Sequence, residues 1–256
     1  MSSAAAIRLQ VESSLAKRVP AALTLKIKQA PELFSTGIGD VDAMLGGGIP
    51  RGSISEVAGT ASTGKTSFAL STIAAITQSG AACAWVDVSD ALSPESAAAA
   101  NIVLKRLLWL RMSAERRLRV TDKPWSRLEQ ALKATDLLLQ AGGFAAIVLD
   151  MSDVLPQHAT RIPLSTWYRY RLSAEQARTA VLLLTQTPCA NSAALSLRSE
   201  PAHVRPFSSN GETALYEGQR YTLVRERNRN EGSMIHQKKP PMRAEWPAET
   251  LWSRVR

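Results

Sequence analysis

The chain has 256 residues, with 31 Lys plus Arg against 22 Asp plus Glu, a formal charge of +9 and 45% hydrophobic residues. A chain of this length holds a real core without staples, which excludes a fold that depends on disulfides. Its two cysteines, Cys83 and Cys189, stand in no C-x-x-C or Cys/His ligand spacing, which argues for a reducing compartment and against a structural zinc, and stretches such as Phe144 to Leu149 fall far short of the ~20 apolar residues of a membrane span. Arg8, Glu12, Lys17 and Arg18 interrupt the N-terminal apolar runs, so there is no secretory h-region and the expectation is a soluble, cytoplasmic protein.

In chain order, Ile7, Val11 and Leu15 form the stripe of an amphipathic helix over 4–19, ended by Pro20, and 23–29 reads as an extended basic link. A short helical pattern follows Gly37 and is closed by Gly46, Gly47, Gly48 and Pro50. Residues 53–57 alternate as a strand and 65–75 carry a helical pattern. Strands are expected at 82–88 and 107–110, with an alanine-rich helix over 95–100 between them. A helix over 125–140 stops at Gly142-Gly143, 145–149 runs continuously apolar, a helix covers 164–177 and a buried strand 180–185. Strands apolar on both faces alternating with helices predict a parallel α/β sheet. Residues 188–211, rich in Ser, Ala, Pro and Asn, read as a long functional loop. Residues 219–225 and 233–237 read as a closing hairpin, and the Pro-containing end from Lys238 as a tail. The organisation expected is an N-terminal helix and linker over 1–30, a core over 31–237 and a basic tail over 238–256.

Gly59-Thr60-Ala61-Ser62-Thr63-Gly64-Lys65-Thr66 fits G-x-x-x-x-G-K-[ST] in full, between an expected strand and an expected helix. In such a loop, backbone N–H groups turn inward around phosphates and the helix N-terminus adds its dipole. Lys65 reaches the outer phosphates, Thr66 offers its hydroxyl to Mg²⁺, and Ser67 extends the loop into the helix. A nucleotide site also needs a strand-terminal carboxylate to anchor the metal's water shell, and Asp150, closing the run that begins at Ala145, supplies it; a plain turn residue is the other reading of an aspartate in that place.

These segments, with Phe34-Ser-Thr-Gly37, Leu45-Gly-Gly-Gly-Ile-Pro-Arg-Gly52, Trp85-Val-Asp-Val-Ser-Asp90, Leu184-Thr-Gln186 and Arg227-Asn-Arg229, resemble the RecA-type recombinase core over about residues 4–237. Glu95-Ser-Ala-Ala-Ala-Ala100, Leu107-Leu-Trp109 and Ile162-Pro-Leu-Ser-Thr-Trp-Tyr-Arg169 are similar to the ImuA-type branch, RecA-like accessory proteins of damage-induced mutagenesis. The resemblance implies a RecA-like P-loop core with a mostly parallel sheet flanked by helices, an N-terminal helix and no large C-terminal domain. It implies ATP and Mg²⁺ as ligands. It also implies partners: single-stranded DNA, a RecA-type recombinase, an ImuB-like polymerase relative, and self-association through the N-terminal helix.

Carried onto this chain, the resemblance places Gln186 as a γ-phosphate sensor and Arg227 and Arg229 as a basic pair reaching a neighbour's nucleotide; a charged hairpin edge is the other reading of that pair. Where the recombinases carry a catalytic glutamate, two residues after the aspartate of the second strand, this chain has Ser89. Asp90 is the only nearby substitute, one position along and on the opposite side of a strand. The residues that clamp adenine in the family are replaced by Ser93 and Ser96, which weakens base stacking. Residues 101–128 hold eight cations against two carboxylates, a footprint for nucleic-acid phosphate, for an acidic partner, or a solvated face. The loop expected at 188–211 offers Arg198, Arg205 and Phe207 to a DNA strand, and the loop after Asp150 offers Arg161. In Trp167-Tyr-Arg-Tyr-Arg171, Trp167 is assigned to the core and the arginines to the surface. The leading expectation is a nucleotide-binding repair accessory with weak or no hydrolysis. A filament-forming DNA-dependent ATPase and a P-loop cell-division or SOS regulator without DNA binding are the alternatives.

Overall fold

A computed structural model describes residues 5–7, 10, 32–112, 124–207, 215–229 and 241–249. The chain divides into two compact units, 1–30 and 31–256. In the first, the described residues 5–7 and 10 are helical and Ile7 is exposed; the rest of the predicted N-terminal helix and link lies outside the described residues.

The second unit begins with a short antiparallel pair, β1 (Leu33–Phe34) and β2 (Ile49–Pro50), around α1 (Gly39–Leu45). The main sheet takes β3 (Ile54–Ala58), β4 (Cys83–Asp87), β5 (Leu107–Arg111), β6 (Ala146–Asp150) and β7 (Ala180–Thr185), then β8 (Leu195–Phe207), β9 (Leu215–Asn228) and β10 (Arg243–Glu249). Their spatial order is β10-β9-β8-β3-β7-β6-β4-β5. Pairings from β5 across to β8 are parallel, and the β8–β9 and β9–β10 pairings are antiparallel. Every residue of β3, β4, β6 and β7 is buried, as expected of strands covered on both faces.

The two faces carry separate cores. One packs around α2 (Lys65–Gln78) through Phe68, Ile73 and Ile76 with Trp85, Val148 and Leu182; α3 (Pro94–Ala99) adds Ala97. The other packs α4 (Pro124–Ala141) and α6 (Leu164–Ala177) over Ile54, Val86, Ile147 and Leu183, and α5 (Pro156–Ala159) lies in the connection between β6 and α6. α6 is tied to α4 by Arg169 Nε to Asp136 Oδ1 at 3.0 Å and by Tyr170 Oη donating to the carbonyl of Leu132 at 2.5 Å. Trp167 is 1% exposed and meets the Tyr170 ring edge-on, while Arg169 lies exposed.

Two expectations are corrected. The stretch 188–211 is not one long loop, because Leu195–Phe207 forms β8, parallel to β3 and antiparallel to β9. Its polar composition hides the strand: Ser196 and Ser199 are buried along with Leu195 and Leu197, so no alternation marks it. The expected tail at 238–256 contributes β10, whose Ala244 and Trp246 turn inward between exposed Arg243 and Pro247. Pro247 is tolerated because β10 is an edge strand. The expected strand over 219–225 falls within β9, while the one over 233–237 lies outside the described residues.

Truncating a buried indole leaves a large cavity in an interior packed at crystal density. Trp167→Ala is expected to lower stability by about 3–5 kcal/mol, read as a lower denaturant midpoint with an unchanged slope.

Candidate nucleotide-binding site

The parallel sheet brings the C-terminal ends of β3, β4, β6 and β7 to one edge, where ligands of open α/β sheets bind. There a cleft of about 290 Å³ is lined by loop residues 61–67, by Asp87, Ser89, Ala91 and Leu92 after β4, by Asp150, Ser152 and Asp153 after β6, and by Tyr221 of β9.

The loop is held in shape by its surroundings. Gly59 N donates to the Thr185 carbonyl at 3.1 Å, and a Cβ at Gly59 would come within 2.6 Å of the Ser199 carbonyl. Thr63 Oγ1 donates to the Thr60 carbonyl at 3.0 Å, and Ser199 Oγ donates to the Thr63 carbonyl at 2.5 Å. Gly64 has φ +89°, a conformation only glycine enters without strain, and it starts α2. Thr66 is exposed at the first turn of α2 and Lys65 is buried. The Lys65 Nζ donates to the carbonyls of Gly59 and, at 2.7 Å, of Thr60. Burial pulls its ammonium below the ordinary lysine value, with Asp150 and Asp153 acting in the opposite sense.

Two aspartates stand side by side because β4 and β6 pair with Asp87 opposite Asp150. Asp87 accepts from the N–H groups of Ala91 at 3.1 Å and Leu92 at 2.9 Å and from Trp109 Nε1 at 3.3 Å, so it fixes the turn after β4. Asp150 accepts from Ser152 N at 3.0 Å. Burial raises its carboxyl above the ordinary aspartate range; the bond from Ser152 opposes this, and the charges of Asp87 and Asp153 add to it. The Gly64 turn at the start of α2, a buried lysine, an exposed threonine hydroxyl and a strand-end carboxylate together fit a nucleoside triphosphate with Mg²⁺. Loop residues 61–67 would hold the phosphates, Thr66 and Asp150 the metal side, and the metal would supply charge neutralisation at the outer phosphates.

The other predicted residues fall elsewhere, Ser89 excepted. Ser89 lines the cleft where the resemblance called for a general base. Asp90, at φ +58°, is held by Arg111 through Nε to Oδ1 at 2.5 Å and Nη2 to Oδ2 at 2.7 Å, and it is not among the cleft residues. Gln186 follows β7, half-buried and also outside the cleft lining. Arg227 Nη2 donates to the Ala190 carbonyl at 3.4 Å and Arg229 Nη2 to the Asn191 carbonyl at 2.9 Å, so both hold the turn after β7 in their own chain. Arg161 is exposed beyond α5. Arg198 is on β8 rather than in a loop, and it pairs with Glu200 at 2.8 Å and Glu226 at 2.9 Å. Arg205 and Phe207 also lie on β8, opposite Gly218 and Leu215. Of the basic stretch, 113–123 lies outside the described residues.

Sequence reasoning did not find Tyr221, Ser199, Asp153 or the anchoring role of Asp87. The only local signal was Asp87 closing an apolar strand; the others reach the loop from over a hundred residues away or from an unpatterned turn.

The comparisons agree with this geometry. Residues 4–162 match the model of the RecA N-terminal domain. Over 170 residues the chain is 33% identical to Protein RecA of Rhizobium leguminosarum bv. trifolii, covering 60% of this chain and 43% of that protein. Over 142 residues it is 34% identical to Protein RecA of Acinetobacter baumannii strain AYE, covering 55% and 37%. The chain thus spans about two fifths of the length of these relatives. The crystal structure of the RadB recombinase superposes with a TM-score of 0.55 at 19% identity, covering 84% of this chain and 96% of that one, a likeness of fold.

The raised Asp150 carboxyl sets a pH dependence. Its folded titration lies above the unfolded one, so its contribution to stability is complete below the unfolded value and is lost as pH rises through the folded value. Asp150→Asn is expected to raise the melting midpoint of the ligand-free protein at neutral pH and to flatten its decline as pH rises above the ordinary aspartate range, measured by calorimetry.

Proposed function

The chain belongs to the RecA N-terminal domain family, and on that premise we propose that it is a nucleotide-binding accessory protein of DNA repair, of the ImuA type, rather than a fast ATPase. The observation that carries this reading is a complete phosphate loop beside a serine. Loop residues 61–67 and Asp150 share a cleft with Ser89, and a hydroxyl with an ordinary alcohol's acidity is no general base for water. Asp90, the nearest substitute, spends its carboxylate on Arg111. ATP with Mg²⁺ would then set a conformation more than it drives turnover.

The net charge of +9 supports single-stranded DNA as a ligand held by backbone phosphates. Exposed Lys105 and Arg161 are available for it, whereas Arg198 is neutralised by its two glutamates. A recombinase and an ImuB-like polymerase relative are the protein partners this reading assigns. No helix among the described residues is long and apolar enough to cross a membrane; the cytoplasm is the compartment this reading assigns.

The test is Mg·ATP binding and ATP turnover with and without single-stranded DNA. Lys65→Ala is expected to abolish binding. Wild-type turnover is expected to stay near that of Lys65→Ala, and Ser89→Glu, which restores a carboxylate in the cleft, to raise it at least about tenfold. Wild-type turnover that DNA lifts far above the Lys65→Ala background would replace this reading with a recombinase-like ATPase. DNA binding is expected to weaken steeply with added salt, and indifference to DNA at low salt would remove the repair reading.

A further inference from the structure

The cleft lining mixes polar side chains, among them Asp87, Ser89, Asp150 and Ser152, with the apolar Ala61, Ala91 and Leu92 and the ring of Tyr221. Among the described residues lining it, Tyr221 is the only aromatic one, and it arrives from β9, two strands away from the loop. Its ring lies so close over Gly64 that a Cβ there would meet ring carbons at 2.4 Å. The ring is not a loose side chain. Trp246 of β10 packs on it with centroids 5.5 Å apart at 41°, Phe68 of α2 backs Trp246 at 6.4 Å, and Tyr221 Oη donates to Gln219 Oε1 at 2.8 Å.

The two positions from which the resemblance expects base stacking are occupied differently. Ser93 is the N-cap of α3, its Oγ accepting from Ser96 N at 3.1 Å, and Ser96 is exposed. Neither has an aromatic face to offer.

We infer that Tyr221 is the nucleobase platform of this cleft, a stacking surface supplied by β9 and stiffened by Trp246 in place of the absent clamp on α3. The inference rests on the nucleotide-binding reading above. A triphosphate seated in the loop would carry its ribose and base outward past the first turn of α2, within the cleft that Tyr221 lines. A pre-positioned ring loses little entropy on binding, and its face is attracted to the face of any base. The ligand class is therefore a nucleoside triphosphate recognised by base stacking as well as by phosphate.

Isothermal titration of Mg·ATP and of Mg·triphosphate, which has no base, separates the possibilities. Tyr221→Ala is expected to weaken ATP binding about tenfold while leaving triphosphate binding unchanged, and Tyr221→Phe to bind both as the wild type does. If Tyr221→Ala weakens ATP and triphosphate equally, Tyr221 is only a brace for the loop and the inference is overturned. If Tyr221→Ala binds ATP as the wild type does, it is overturned as well. A wild-type protein that binds neither ligand would instead defeat the nucleotide-binding reading itself, a result distinct from either of these.

Discussion

The site hangs from β3. This five-residue strand is buried on both faces and is held between β7 and β8, each parallel to it, so the turn leaving its C-terminal end has one course open to it. Gly59 leaves β3 bonded to the Thr185 carbonyl at the end of β7, and it passes the Ser199 carbonyl of β8 with no room for a side chain. The same strand carries Glu56, 1% exposed, which accepts from Cys189 N at 2.7 Å and from Ala190 N at 3.2 Å and so fixes the turn after β7. A buried carboxylate persists when its oxygens are bonded, and here those bonds couple the strand beneath the phosphate loop to the segment that leads into β8.

Burial governs the chemistry of the cleft as well. Lys65 and Asp150 both pay for leaving water, and each moves toward its neutral form. An incoming anion and a divalent cation would favour the charged forms again at Lys65 and Asp150 respectively. The register of β4 against β6, with Asp87 opposite Asp150, puts the carboxylates next to each other. Asp87 is committed to the turn holding Ala91 and Leu92. That division makes Asp87 a structural residue and leaves Asp150 as the carboxylate that the proposed metal would use.

The β8–β9–β10 side of the sheet differs in kind. Arg198, Glu200, Glu226, Arg243 and Glu245 form a surface network of ion pairs, exposed enough that solvent screens each pair to little net stability. Its effect is to use up charge. An arginine that reads as a DNA contact in the linear sequence becomes one member of a balanced lattice on a strand, while Ser199 of β8 and Tyr221 of β9 reach the phosphate loop.

Apart from the short α5, the strands and helices from Ile54 to Thr185 were legible because their apolar periodicity is local, and the loop motif was legible because its glycines, lysine and threonine fall within eight consecutive positions. Ser89 follows the strand-ending Asp87 in the sequence, and the structure places it in the lining of the cleft. What the sequence alone did not reveal depends on partners distant in the chain: the strand at Leu195–Phe207, buried without alternation against β3; the strand at Arg243–Glu249, given its place by pairing with β9; the capture of Asp90 by Arg111 across twenty-one positions. The ring of Tyr221 over Gly64 belongs with these. Sequence by itself determined the elements and the consecutive loop, since both follow from neighbours along the chain. Only the tertiary structure decided which charges stay free and which aromatic faces the cleft, since a side chain's partners are set by sheet order and register.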